Sequence, residues 1–332
     1  MKPVEEAFAS AAFRRVVLPG IIITIGVHPI LDPWMRIVQA RYPVSPPILS
    51  LIEVIVLGLA VSSGLQWIYY IYEGFRLPRL TAVARWMNDR RVAKLQAEYR
   101  RLRNATAGAG SAVHSERIVR LYEFLNDFPT GTDQADPTAY HVERPTRLGN
   151  IIATYELYAE TRFGIDGVHF WEHLLAFAPE RMTREFDDRY AFAESLVLTS
   201  FSGALVSLLH AFVLVGLAVG AAIEPVLSVS TTPTMSTLLV AFGISTWFFF
   251  YKAALPAHRA AGAVLRACVD CSIPRFIEWS NSVPVPIPAD TVSKVNALTN
   301  YLKLPNPSVV PPPPAVNRSS GLITFIRRVL QR

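Results

Sequence analysis

Along most of this chain polar and apolar positions are mixed, but four stretches run predominantly apolar. A hydrocarbon layer roughly 30 Å thick needs about 20 helical residues to cross it, so length is the first test of such runs. Residues 48–72, "ILSLIEVIVLGLAVSSGLQWIYYIY", pass with one carboxylate, Glu53, and close on Trp67, Tyr69, Tyr70 and Tyr72, rings that favour a membrane–water interface. Residues 196–222 are equally long. Residues 235–255 end in Trp247, Phe248, Phe249, Phe250, Tyr251 and Lys252, whose ammonium can extend to the headgroups. The first run, residues 16–31, is shorter and contains Pro19 and Pro29, so it tilts, thins the bilayer locally or re-enters. Residues 7–13 can lengthen it, with Arg14 and Arg15 at the interface, and it is read as a span.

Between the second and third runs the pattern is helical. Residues 77–103 read as a helix continuing out of the second run, with Leu80, Val83, Met87, Leu95, Tyr99 and Leu102 near one face. "NATAGAGSA" is a break, residues 113–126 form another helix, and "DFPTGTDQADP" is a loop by its Pro, Gly and Asp content. In "PTRLGN" Pro145 disfavours helix at Arg144, Thr146 is placed as an N-cap, and Gly149 permits close backbone approach. A helix over residues 151–163 follows; "RFGIDG" stops it at Gly164, and Asp166 caps the next, with Tyr155, Tyr158, Phe163, Phe170 and Trp171 as core. No sustained two-residue alternation signals a strand.

Composition supports lipid over water: of 332 residues, 51% are hydrophobic and 17% charged. Lys and Arg then set the orientation. Arg76, Arg79, Arg85, Arg90, Arg91, Lys94, Arg100, Arg101 and Arg103 crowd the connection after the second run, whereas residues 223–234 have no basic group. Positive-inside ordering puts the former in the cytoplasm, together with the N-terminus (Lys2, Arg14, Arg15) and the region of His258, Arg259 and Arg266. Arg36 and Arg41 in the first short loop pull weakly the other way. Arg14 and Arg15 also fit a twin-arginine export signal, but Pro29, Asp32 and Pro33 spoil its apolar region.

The expected fold is an all-α integral membrane protein of the bacterial inner membrane: four transmembrane helices in two hairpins with a helical cytoplasmic insert, both termini inside. Its parts are an amphipathic cytoplasmic N-terminus (1–15), a first hairpin (16–75), a helical cytoplasmic module (76–194), a second hairpin (195–255), a cytoplasmic helix (256–281) and a proline-rich tail (282–332). The tail motifs "SVPVPIPAD" and "PNPSVVPPPPAV" favour extended conformations, as a spacer or as a ligand for a proline-binding domain. "GLITFIRRVLQR" makes a basic amphipathic helix suited to an anionic bilayer surface or to docking on the module.

Candidate chemistry is sparse. His169, Glu172 and His173 match the HxxEH spacing of inverted zinc hydrolases, two imidazoles on one helix face with a carboxylate to activate water, but a third ligand is missing. The alternative is a docking helix built on Phe170, Trp171, Leu174 and Phe177. Cys268 and Cys271 have redox or half-zinc-site spacing, or are small buried thiols on a helix. Inside the membrane His28 and Glu53 fall at similar depth on adjacent spans and His210 lies midway along the third; they tie helices together or line an ion or proton path. In the module Arg147, Glu156, Glu160, Arg162 and Asp166 are candidates for one polar network, structural or ligand-binding. No cofactor is expected.

The stretch "PTRLGNIIATYELYAETRFGIDGVHFW" resembles a cassette of uncharacterised multi-pass membrane proteins of bacteria, in which a TRLGN element, an acidic aromatic helix and a YGID-like turn precede a Trp-rich helix and the third span. "YEGFRLPRL" adds a weaker similarity, and the histidines of HFWEH lie outside the pattern. The resemblance implies a membrane location and supplies no activity to carry over. The leading expectation is a non-enzymatic scaffold or oligomeric effector whose partners are the bilayer and either its own copies or another protein. Behind it stand a channel or transporter using His28, Glu53 and His210, and a zinc-dependent membrane hydrolase. Nucleic acid is not expected as a partner, because the basic residues sit where topology requires them and no recognition motif accompanies them.

Overall fold

The computed structural model describes residues 11–42, 45–75, 78–106, 112–130, 140–218 and 232–282. The first ten residues, the centre of the "NATAGAGSA" break, most of the "DFPTGTDQADP" loop, the third-to-fourth connection, and the proline-rich tail with its terminal helix lie outside them. The described chain is helical, without a strand; the single bridge pairs Thr130 with Tyr140. The helices are α1 (Ala11–Arg41), α2 (Pro46–Ser63), α3 (Leu65–Glu73), α4 (Pro78–Thr106), α5 (Ala112–Leu125), α6 (Arg147–Glu156), α7 (Tyr158–Phe163), α8 (Gly167–Phe177), α9 (Glu180–Ala218) and α10 (Pro233–Ser282). Four of them, α1, α2, α9 and α10, are long and apolar enough to cross a membrane. That arrangement fits a multi-pass membrane protein.

The chain divides into two compact units. One comprises residues 1–69 and 190–257, the other residues 70–189 and 258–332, so the divisions fall inside α3, α9 and α10. The fourth apolar run and the helix expected at 256–281 are therefore one continuous element.

In the first unit the helices meet through small residues. Gly20 lies against the Val54 backbone and Gly58 against that of Val16, while Gly203 and Gly243 face each other's backbones across α9 and α10. A side chain at any of these positions would force the helices apart. Apolar side chains face outward: Phe212 is 72% exposed and Leu208 69%. Ser195, Thr199, Ser200, Ser202, His210 and Ser236 are buried instead. Such an inversion suits a hydrocarbon solvent.

The first run is a full helix, not a short interrupted one. α1 continues through Pro19, Pro29 and Pro33 for 31 residues. Proline lacks the N–H that would bond the carbonyl four residues back, so Pro19 leaves Arg15 O unserved by its own helix. The Ser62 hydroxyl on α2 donates to that carbonyl at 2.7 Å. A neighbouring helix thus repairs the missing rung.

The second unit has an ordinary apolar core. Phe170, Leu174 and Phe177 of α8 pack with Val269, Ile273, Phe276 and Trp279 of α10, and Val92 of α4 packs with Leu125, Phe128 and Val142. Of the expected aromatic core, Tyr155 and Phe170 are buried, Tyr158 and Phe163 pack at its edge, and Trp171 is half-buried with its ring 5.7 Å from Phe186. α4 does not continue out of the second run. Gly74 adopts φ +92°, the left-handed region open to glycine, and ends α3; the Pro145 ring fills the space a side chain would need. Nor is there one apolar face on α4. Val92, Leu95 and Tyr99 pack inward, while Val83 and Met87 lie on the opposite, exposed side. The helix expected over residues 151–163 starts earlier, at Arg147, and is divided at Leu157 into α6 and α7, with Gly164 at φ 67° as the stop.

Candidate functional site

The "PTRLGN" element is a folded device. Thr146 caps α6, its hydroxyl accepting from Gly149 N at 3.0 Å, and the same hydroxyl donates to Tyr72 O. Asn150, fully buried, has a role that spacing alone did not reveal. Its carboxamide oxygen accepts from Glu143 N at 2.9 Å and Arg144 N at 3.0 Å, while its amide donates to the carbonyls of Arg144 and Thr146. All polar capacity of one side chain is spent on shaping the turn before α6.

The charges expected to share one network fall into separate groups. Arg147 Nε donates to Asp127 Oδ2 at 2.6 Å, and Arg259 of α10 grips both oxygens of the same carboxylate. Asp127 is completely buried, so this pairing is what makes its ionised form tolerable. Glu156 pairs with Arg144, which also lies 3.0 Å from Glu73. Burial pushes Glu73 up to about 7 against the lowering pull of Arg144, with Glu156 adding repulsion. Burial raises Glu156 as well, again opposed by Arg144. Arg162 donates to the Tyr158 hydroxyl at 2.9 Å, and that hydroxyl donates to Asp270. Glu160 is exposed, and the Asp166 carbonyl accepts from Phe170 N in the first turn of α8. Asp127, Arg144, Glu73, Arg259 and Asp270 were not singled out from sequence. They come from distant segments, so no local spacing announces them.

In the first unit His28 and Glu53 are brought together, Nδ1 standing 2.9 Å from Glu53 Oε2. Glu53 is buried and its other oxygen, Oε1, has no hydrogen-bond partner among the described residues. His210 is elsewhere. Its Nε2–H donates to Gly26 O at 2.7 Å and its Nδ1 lies 3.4 Å from the Ser236 hydroxyl, a clamp between α1, α9 and α10. Arg15 pairs with Glu194, a carboxylate completely enclosed at the edge of the third run. The isolated Glu in "FAESLVL" is its only sequence signal.

His173 sits among rings, 5.1 Å from Trp279 and 6.0 Å from Phe170, and burial lowers its proton affinity against the influence of Glu172. The His169 side chain lies outside the described residues. Among the described residues no three His, Cys, Asp or Glu side chains gather as a metal site. Cys268 is buried, and Cys271 is exposed, contrary to a pair of buried thiols. No protein-family model, curated protein or solved structure matches this chain.

Proposed function

We propose that the protein is a non-enzymatic scaffold of the bacterial inner membrane, anchored by two outward-facing hairpins with both termini in the cytoplasm, whose helical module binds an acidic protein partner. The bilayer covers the outward apolar surface of the first unit. The observation that carries the reading is the free side of α4. At 100° per residue Val83, Trp86, Met87, Arg90, Lys94 and Arg101 share it, opposite the packed Val92. Met87 is 60% exposed, and Arg90 lies 4.0 Å over the Trp86 ring. An aromatic anchor beside arginine and basic neighbours is the composition of a binding centre, and this face has no carboxylate. Two copies meeting through it would set like charges opposite each other, which favours an acidic partner over self-association.

A photo-crosslinker at Met87 in native membranes tests this. A heterologous adduct that disappears in Trp86→Glu is expected. Monomer without adducts overturns the proposal, and a homodimer adduct replaces the partner by a second copy.

A second reading, an ion or proton path, is favoured by the buried and unpartnered Glu53 Oε1 beside His28. Glu53→Gln then changes pH-dependent flux in proteoliposomes, whereas a scaffold is indifferent to it.

A further inference from the structure

At Asp127 the second unit gathers more guanidinium groups than that carboxylate can neutralise. Arg147 Cζ lies 4.5 Å from the centre of the Phe124 ring and Arg91 Cζ lies 4.7 Å from it. Arg147 also reaches Asp127, where Arg259 joins it. Three cations from α4, α6 and α10 thereby converge on the end of α5, linked through Arg147. Asp127 cancels one of the three charges. Both Asp127 oxygens are taken, and Arg91 has no carboxylate partner among the described residues.

The cluster is also accessible. The Arg147 side chain is 28% exposed and that of Arg259 41%, and each commits part of its fork to Asp127. Arg91 is exposed. Donors therefore remain for a ligand, and contact with the Phe124 ring restrains two of the guanidiniums in advance.

We propose that Arg91, Arg147 and Arg259 form a binding site for a phosphate group. A phosphate monoester carries about −1.5 to −2 charge at neutral pH and presents several acceptor oxygens, matching the surplus of two cations better than a single carboxylate does. The phosphate is either soluble or part of a lipid headgroup. The site borders the free side of α4 but is built from other side chains: Arg91 lies 40° around the helix from Met87, and Arg147 and Arg259 belong to α6 and α10.

The test uses the full chain in nanodiscs. In one arm zwitterionic nanodiscs are titrated with inorganic phosphate by calorimetry; in the other, nanodiscs containing phosphatidic acid are examined by native mass spectrometry for retained lipid. Saturable binding in either arm is expected, and the arm identifies the source. Arg91→Gln should weaken it about tenfold with an unchanged melting midpoint, because one charge-assisted contact is lost while the Asp127 pairs persist. Arg91→Lys, which keeps the charge without the fork, should fall between the two, and it supplies the comparison should Arg91→Gln prove unstable. Absence of saturation in both arms, or wild-type binding by Arg91→Gln, overturns the proposal.

Discussion

The two units solve opposite solvent problems with the same helical backbone. In the first, serine, threonine and histidine are enclosed while phenylalanine and leucine face outward; in the second, Phe170, Phe276 and Leu125 are enclosed and arginines line the surface. Cohesion differs accordingly. Glycine contacts and hydrogen bonds to backbone carbonyls join the first unit, since apolar burial gives little advantage in a solvent that is itself apolar. The second relies on apolar burial, with ion pairs placing particular segments. A substitution should therefore have opposite consequences in the two.

The sharpest break is at Asp127. Asp127→Ala removes the hydrogen bonds from Arg147 and Arg259, both partly open to solvent, and should cost about 3 kcal/mol, seen as early hydrogen exchange in α6 with α2 unchanged. Next is a pair of exposed positions, one in each unit. Phe212→Lys should reduce membrane insertion by about 3 kcal/mol, whereas Met87→Lys in the second unit should alter stability by less than about 0.5 kcal/mol. Equal effects would show that both surfaces meet the same solvent. Gly243→Val should destabilise the first unit by about 2 kcal/mol, because the backbone of Gly203 and the Ser207 side chain occupy the space a side chain needs. A thermal scan in detergent reads it.

A further effect is a pH dependence in the second unit. Glu73 binds its proton more tightly when folded, with a value of about 7, than when unfolded, where it titrates near the ordinary carboxylate value. Between those values the folded state holds a proton the unfolded state has lost. Stability contributed by this group is thus full at acid pH and declines as pH rises through about 7. Glu73→Gln should remove that decline, a difference on the order of 5 °C in melting midpoint between pH 5 and pH 8.

The helices and candidate spans were legible because their cause is local: run length, a cap at Thr146, a stop at Gly164. The His28–Glu53 approach was legible from depth alone. What escaped has a non-local cause. The end of α3 depends on Gly74 lying against Pro145, and the polar network divided because Asp127 and Glu73 compete for neighbouring arginines. Pattern also misassigned the faces of α4, where Val83 and Val92 have the same hydrophobicity and opposite surroundings.

The bond from Ser62 to the Arg15 carbonyl makes α1 and α2 interdependent. Without the second helix the first keeps a bare acceptor that lipid cannot serve, so the two helices complete each other as a pair.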